Sequence, residues 1–359
     1  SANCWEWAVS YHAIAKTGAV INPINVMLTS DEVKYVVEDS GTTAVLGSAD
    51  KAESLLDLKG NNELKEVVLF GDTVPTGATS FEEWLKSGTD TFEVAHRNRE
   101  DLAAICYTSG TTGHPKGAMH SHHNIIANAQ GTAMMHVRTE SDVMVNSLPL
   151  PHVYGSVVFN SGFMYGAKLV IVPRFEEEAV MLAIQQHRAT ILDGVPTAYY
   201  FLLAHPKFDD YDLSTLTRST VGGQTLPAAK SIEWEERVGT AVLELWGMTE
   251  LAGAATANPY YGDNKPGTIG LVYPGNEGKI VSAEDPTLDL EIGDEGEFMF
   301  RGPLVMLGYY GNDRATRDAM AAGGWMHTGD IATQDEDGYF TIVDRKKDMI
   351  LTAGYNVYP

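Results

Sequence analysis

The chain of 359 residues is 44% hydrophobic and 20% charged, apolar enough for one large or two to three ordinary domains with a real core. Its formal net charge of −23 disfavours nucleic-acid and anionic-membrane partners, which are gripped by clustered Lys and Arg, although a small anionic ligand needs only a few local donors. No apolar run approaches the ~20 residues that span a bilayer, Ser1–Glu6 lacks the basic start of an export sequence, and two distant cysteines, Cys4 and Cys106, fit inert thiols in a reducing cytoplasm.

In chain order, "EWAVSYHAIAKTG" spaces its apolar residues for a helix closing at Gly18, and "AVINPIN" predicts a short strand. "TSDEVKYVVEDSG" predicts a helix with a Ser/Asp cap that ends at Gly41, after which "TTAVLGS" and "EVVLFG" return to strand. Such alternation implies a parallel sheet with helices on its faces. Residues 72–100 are polar and turn-rich, a surface excursion. "LAAICYTSG" then predicts a strand running into a glycine- and hydroxyl-rich loop, followed by strands at "DVMVNSLP", "AKLVIVP", "ATILDGVP", "RSTVGG" and "AVLELWG". After about residue 260 the texture changes to short strands separated by Gly, Pro, Asp and Asn, among them "GKIVSA", "GEFMFRG" and "GYFTIVDR", which predicts a β-rich subdomain. The sequence opens as if inside a helix and stops at "GYNVYP", so both ends are expected to be cut from a longer protein.

The loop Tyr107–Gly117, "YTSGTTGHPKG", carries the strongest chemical signal. It is not a Walker A loop, because Gly117 follows Lys116 where Ser or Thr is required. Gly110, Gly113 and Gly117 permit close backbone approach, Thr108, Ser109, Thr111 and Thr112 offer donors, and Lys116 adds a charge. A merely flexible loop would explain the glycines but not the hydroxyls and lysine together. Other candidates are weaker on their own. Glu250 reads equally as a capping or surface carboxylate, Asp330 as an Asp in a turn, and His152 as a structural histidine. "HSHH" at 120–123 alternates His120 and His122 along one extended face, without the carboxylate or Cys partners that zinc requires.

T-S-G-T-T-G-x-P-K-G resembles the phosphate-binding signature of the adenylate-forming superfamily: acyl- and aryl-CoA synthetases, firefly-type luciferases and peptide-synthetase adenylation domains. "PLPHVYG" (149–155), "VGGQTLP" (221–227), "ELWGMTE" (244–250), "GEFMFRGPLVMLGYYG" (296–311), "GWMHTGD" (324–330) and "YFTIVDRKKDMILTAGYNVYP" (339–359) match the family in order. The resemblance implies an α/β fold of two parallel-sheet lobes packed together plus a smaller β-barrel-like subdomain, with the C-terminal lid domain absent. The expected division is 1–260 for the α/β lobes, 261–343 for the β-rich part, and 344–359 for a hinge and the first residues of a truncated domain.

The implied reaction joins ATP and a carboxylate into an acyl-adenylate plus pyrophosphate, after which coenzyme A captures the acyl group. Positioning and electrostatics carry most of such a step, since two anions must meet. By resemblance, Lys116 and the loop residues Thr108 to Gly113 (Thr108, Ser109, Gly110, Thr111, Thr112 and Gly113) hold the β- and γ-phosphates. Thr249 reaches the α-phosphate, and Glu250 helps hold Mg2+, a hard cation suited to carboxylate oxygens. Glu244 and Trp246 border the nucleotide, Trp246 replacing the usual Tyr as a flat face near adenine, while Asp330 and Arg345 take the ribose. His152 matches a gate between the acid and thiol paths, and Lys347 matches the hinge pivot.

The acyl pocket implied by the same alignment is walled by His152, Tyr154, Val157, Gly222, Gly223, Gln224, Leu245 and Gly247. Val157, Gln224 and Leu245 depart from aryl-CoA ligases of the coumarate type, and "VYGSVVFNSG" lacks the acid with which peptide synthetases pair an amine. The expected function is therefore an acyl-CoA synthetase for a medium- or long-chain fatty acid. The alternatives are an aryl-CoA ligase, a carrier-protein-loading enzyme and, outside enzymes, a binding protein that keeps the fold without the chemistry. Expected partners are small molecules (the acid, ATP and coenzyme A), with no nucleic acid, no transmembrane segment, a cytoplasmic location and a homodimer left open.

Overall fold

The computed structural model describes residues 1–59, 63–108, 115–345, 350–352 and 355–357, the last two ranges by backbone alone. The chain starts with α1 (Trp5–Thr17), closed by Gly18 in the left-handed region at φ 75°. Next comes α2 (Ser30–Asp39), whose cap is Thr29, one residue before the expected Ser/Asp pair, because Thr29 and Glu32 form a reciprocal capping box. The strand expected at "AVINPIN" is reduced to one bridge, Ile21 to Ala104; Pro23 has no N–H with which to continue a ladder. Strands β1 (Ala44–Ser48), β2 (Glu66–Phe70) and β3 (Thr79–Ser80) make a parallel sheet, with α3 (Ala52–Leu56) between the first two. The polar excursion after it contains an unforeseen helix, α4 (Phe81–Ser87), nailed down by buried Phe81 against Phe70.

Strand β4 (Leu102–Thr108) leads into the glycine–hydroxyl loop as expected, but β5 (Lys116–Ser121) returns antiparallel to it, with Thr108 opposite Lys116. Strands β4 and β5 thus pair as the two arms of a hairpin. Helix α5 (His122–His136) follows only after Ser121, whose hydroxyl caps it by accepting from the Asn124 amide at 3.1 Å.

The main body then alternates β6 (Val143–Asn146), α6 (Val153–Met164), β7 (Lys168–Ile171), α7 (Glu177–His187), β8 (Ile191–Gly194), α8 (Pro196–Ala204), β9 (Arg218–Val221), α9 (Ala228–Val238) and β10 (Val242–Met248). After a tight turn come β11 (Gly253–Ala257) and β12 (Leu271–Val272). Among the described residues these strands form one sheet in the order β12-β11-β10-β9-β8-β6-β7, parallel from β10 to β7 and antiparallel at β11 and β12.

Successive strand residues point to opposite faces. Met144 and Ile191 therefore enter a core shared with α6, Leu245 and Phe298, whereas their neighbours Val145 and Leu192 enter a second core with Val180, Tyr199 and Trp234. The β-rich region contributes β13 (Glu277–Val281), β14 (Gly296–Arg301), β16 (Met326–Gln334) and β17 (Phe340–Arg345), an antiparallel sheet in the order β13-β14-β16-β17. Between β14 and β16, β15 (Gly308–Tyr309) leaves that sheet to pair with β5, and α10 (Asp313–Ala319) follows it. Strands β18 (Ile350–Thr352) and β19 (Tyr355–Val357) pair as a hairpin. Parallel sheets with covering helices and an added antiparallel part match the α/β architecture expected from the sequence. Among the described residues no helix is long and apolar enough to cross a membrane.

Candidate active site

Strand β10 ends where β5, β15, β16 and β17 converge, and polar side chains from all of them meet there. Asp330 on β16 stands opposite Arg345 on β17, and the Arg345 guanidinium bonds Oδ1 at 2.9 Å. The Trp246 indole N–H donates to Oδ2 of the same carboxylate at 2.8 Å. Asp330 is 4% exposed. Burial pushes its carboxyl up, and the Arg345 charge and the Trp246 donor oppose that push. A carboxylate has about four lone-pair positions, so one on each oxygen remains for a ligand hydroxyl. The Trp246 ring packs on Phe298 with centroids 5.1 Å apart and is itself buried. The indole N–H thereby orients Asp330.

The second corner joins Lys116, Tyr309 and Glu250. The Lys116 ammonium lies 4.4 Å from the centroid of the Tyr309 ring, and the Tyr309 hydroxyl donates to Glu250 Oε1 at 2.6 Å. Glu250 and Thr249 sit in a single turn after β10, brought round by Ala252 at φ 57°. The Thr249 carbonyl accepts from His120 Nε2 at 2.7 Å. A carbonyl only accepts, so Nε2 carries the proton, and burial pushes this imidazole down to about 4. His120 is thus a strut beneath the Thr249 turn. Among the described residues no three His, Cys, Asp or Glu side chains gather as a metal cluster. Thr108 closes the hairpin by donating to the Lys116 carbonyl at 3.4 Å. Ser109, Gly110, Thr111, Thr112, Gly113 and Lys347 lie outside the described residues.

Glu244 is turned to the scaffold. It is 3% exposed, accepts from the Gly267 amide at 2.6 Å, and has its carboxyl pushed up to about 7 by burial. His152 caps α6, its Nδ1 accepting from the Tyr154 amide at 3.2 Å. Burial lowers its basicity, so the neutral ring carries its proton on Nε2.

The residues expected to wall the acyl pocket lie together around α6, β9 and β10. Val157 and Leu245 are buried in one apolar core. The Leu245 side chain fills the position that a Cβ on Gly222 would take. Gly247 lies directly against the Gly253 carbonyl at the bulge between β10 and β11, where no side chain fits. Gly223 is exposed at φ 89°, and Gln224 is half-buried. The Thr220 hydroxyl donates to Asp193 Oδ1 at 2.7 Å, so the Tyr154 hydroxyl, 3.0 Å away, must be the donor to Thr220. Asp193 in turn pairs with Arg138, both fully buried.

Sequence reasoning passed over Tyr309, His120 as a strut, and the Tyr154–Thr220–Asp193 chain. Tyr309 lies in "GYYG" within a matched motif; its importance follows from the pairing of β15 with β5, which local pattern does not disclose.

With this geometry in place, the likeness to known proteins is informative. A model of the family "AMP-binding enzyme" matches residues 1–310. The chain belongs to the AMP-binding enzyme family, as its motifs led us to expect. It is 31% identical over 386 residues to the long-chain-fatty-acid–CoA ligase of Bacillus subtilis (strain 168), covering 99% of this chain and 69% of that protein. It is 32% identical over 388 residues to the protein of the same name from Escherichia coli O157:H7, with the same shares covered. Among solved structures, ATP-bound MatB from Rhodopseudomonas palustris superposes with a TM-score of 0.88 at 32% identity, covering 100% of this chain and 70% of that one. The anthranilate CoA ligase AuaEII in complex with anthranoyl-AMP gives 0.90 at 29% identity, with the same coverage.

Proposed function

We propose that the protein is an AMP-forming acid–thiol ligase: it activates a medium- or long-chain fatty acid with ATP and passes the acyl group to coenzyme A. The observation that carries this reading is the pairing of two corners on one strand end. Trp246, Asp330 and Arg345 offer a carboxylate with spare lone pairs for a ribose, and Lys116, Tyr309 and Glu250 offer a cation and a carboxylate for a polyphosphate and its counter-ion. In the proposed reaction Lys116 neutralises charge on the departing pyrophosphate, and the Thr249 hydroxyl steadies the α-phosphate. Asp330 and Arg345 fix the nucleoside. His152, protonated on Nε2, donates along the acid and thiol path.

Glu250 fits Mg2+, since one oxygen is held by Tyr309, the residue is half-buried, and Lys116 lies over the ring of the same Tyr309. One carboxylate, with phosphate and water oxygens completing the shell, suits this ion. When bound, Mg2+ would supply charge neutralisation on the phosphates. Glu244 takes a supporting place in this scheme, holding the Gly267 turn. On the same reading residues 1–260 carry the α/β lobes and 261–343 the β-rich part, Lys347 is the hinge pivot, and the unpaired thiols Cys4 and Cys106 suit the cytoplasm.

The fatty-acid assignment rests on names and on chemistry. Relatives named long-chain-fatty-acid–CoA ligase support it. So does Tyr154, whose hydroxyl is committed to Thr220 and is not offered to a ring hydroxyl on the acid. An aryl acid is the second reading, favoured by the likeness to the anthranilate CoA ligase. Carboxylate-dependent ATP–pyrophosphate exchange, measured on the full-length protein with aliphatic, aryl and amino acids, separates them. Exchange led by fatty acids is expected. Exchange led by aryl acids or confined to amino acids would overturn the assignment, and none with any acid would leave a binding protein.

A further inference from the structure

Tyr309 touches both charged groups of the phosphate corner and is not itself among the expected site residues. Its hydroxyl bonds Glu250 Oε1 at 2.6 Å while its ring face lies 4.4 Å from the Lys116 ammonium. The carboxylate and the ammonium are thus held by different parts of one side chain. The ring gives each a different partner: the acid gets a donor, the cation an aromatic face.

The ring is also firmly mounted. The Tyr309 amide donates to Thr316 Oγ1 at 2.8 Å, and that hydroxyl donates to the Asn312 carbonyl at 3.0 Å. Gly308 and Tyr309 pair with Met119 and Ala118 on β5, and the Tyr310 amide bonds the Gly117 carbonyl at 2.8 Å. On the other side the Met306 amide bonds the Glu250 carbonyl at 2.9 Å. One short segment thus ties the end of β5, with Lys116, to the turn that bears Glu250. Tyr309 is 6% exposed, so its orientation is fixed by packing as well.

We infer that Tyr309 is a positioning residue of the adenylation site, holding the Glu250 carboxylate aimed at a divalent cation and Lys116 aimed at phosphate. This rests on the ligase reading above. Partners that hold a metal-binding carboxylate commonly govern metal affinity by about 10–100-fold when removed. The variant Tyr309→Phe keeps the ring and loses the hydroxyl; Tyr309→Leu loses both.

Two measurements on the full-length protein test the inference: the Mg2+ concentration for half-maximal ATP–pyrophosphate exchange, and Mn2+ binding in the presence of ATP, read from the electron paramagnetic resonance of free Mn2+. Tyr309→Phe is expected to weaken both about 10-fold or more, with the KM for the acid unchanged. Tyr309→Leu should add a loss of about 2–5-fold in ATP affinity at saturating metal, from the missing ring face. Should Tyr309→Phe fail to fold, Thr316→Val, which loosens the strand but leaves the ring, should give a smaller shift in the same direction. Metal dependence within twofold of the unaltered protein in the folded variants would overturn the inference, as would a fall in kcat without a metal shift. If the unaltered protein binds Mn2+ with ATP yet gives no exchange with any acid, the ligase reading falls while the Mn2+ titration still decides the role of Tyr309.

Discussion

On the proposed reading, the nucleotide end and the acyl end of the site are held by different physical means. At the nucleotide end the supports are directed polar bonds: Trp246 and Arg345 on Asp330, Tyr309 on Glu250, His120 on the Thr249 carbonyl. At the acyl end the surface is set largely by volume: Leu245 fills the space over Gly222, Val157 packs in the core, and the Tyr154 hydroxyl is turned inward to Thr220. Directed bonds fix charges to a few tenths of an ångström, which is what a reaction at phosphate requires. A packed apolar wall discriminates only by size, and one methylene changes selectivity by about 10–200-fold at most. The two ends should therefore fail differently when disturbed.

The largest effect should come from breaking the charged end. Lys116→Ala removes the ammonium over the Tyr309 ring, and Lys116 itself is only half-buried. Removing one preorganised charge-stabilising group commonly costs about 10²–10³ in rate. ATP–pyrophosphate exchange should fall by about that factor for every acid alike, with the thermal midpoint within a few degrees of the unaltered protein. Selective loss for one acid, or global unfolding, would show that the lysine belongs to the acyl end or to the scaffold.

The two ends also differ in how much of them the sequence discloses. Polar residues at the nucleotide end stand in motifs whose order can be read directly, so Asp330, Arg345 and Trp246 could be nominated together although β10 lies far from β16 and β17 in the chain. Their supports could not. His120 looks like part of a histidine-rich tract, and Lys116–Ser121 has little of the β-branched, aromatic character of a strand; it becomes β5 through pairing with β4 on one side and β15 on the other. The same limit explains the strand expected at "AVINPIN", where the alternation is right but Pro23 has no amide to give. At the acyl end the identities of Val157 and Leu245 are legible. Which space they fill is not, because Gly222 and Leu245 meet only when β9 and β10 lie side by side.

A smaller effect, confined to choice of acid, should follow from Leu245→Ala. The substitution empties the space over Gly222 and removes a buried side chain, at a cost of about 2–5 kcal/mol in stability. The nucleotide end does not use Leu245, so the KM for ATP should hardly move. The ratio of exchange rates for a bulky aryl acid and a fatty acid should rise by about 10-fold or more, the scale of a few methylenes of pocket volume. An unchanged ratio, measured under conditions where the variant is folded, would show that Leu245 belongs to the core alone. A raised KM for ATP would mean that the two ends are mechanically joined.

The finest test of the contrast is Glu244, which sits on the same strand as Leu245 and Trp246 but serves neither end. Burial pushes its carboxyl up from 4.5 to about 7, against the Gly267 and Leu226 amides, which favour the ionised form. An acid whose folded value lies above its unfolded one supports the fold fully below the unfolded value. That support is lost as pH rises through the folded value, so the window runs from about pH 4.5 to about pH 7. With 1.36 kcal/mol for each unit, the protein should lose roughly 2–3 kcal/mol of stability from this one group between pH 5 and pH 8. Glu244→Gln keeps an oxygen for the Gly267 amide and cannot ionise, so its advantage over the unaltered protein should grow by that amount across the same interval. Denaturant unfolding at the two pH values measures it, and an advantage that stays flat would mean that Glu244 is ionised throughout.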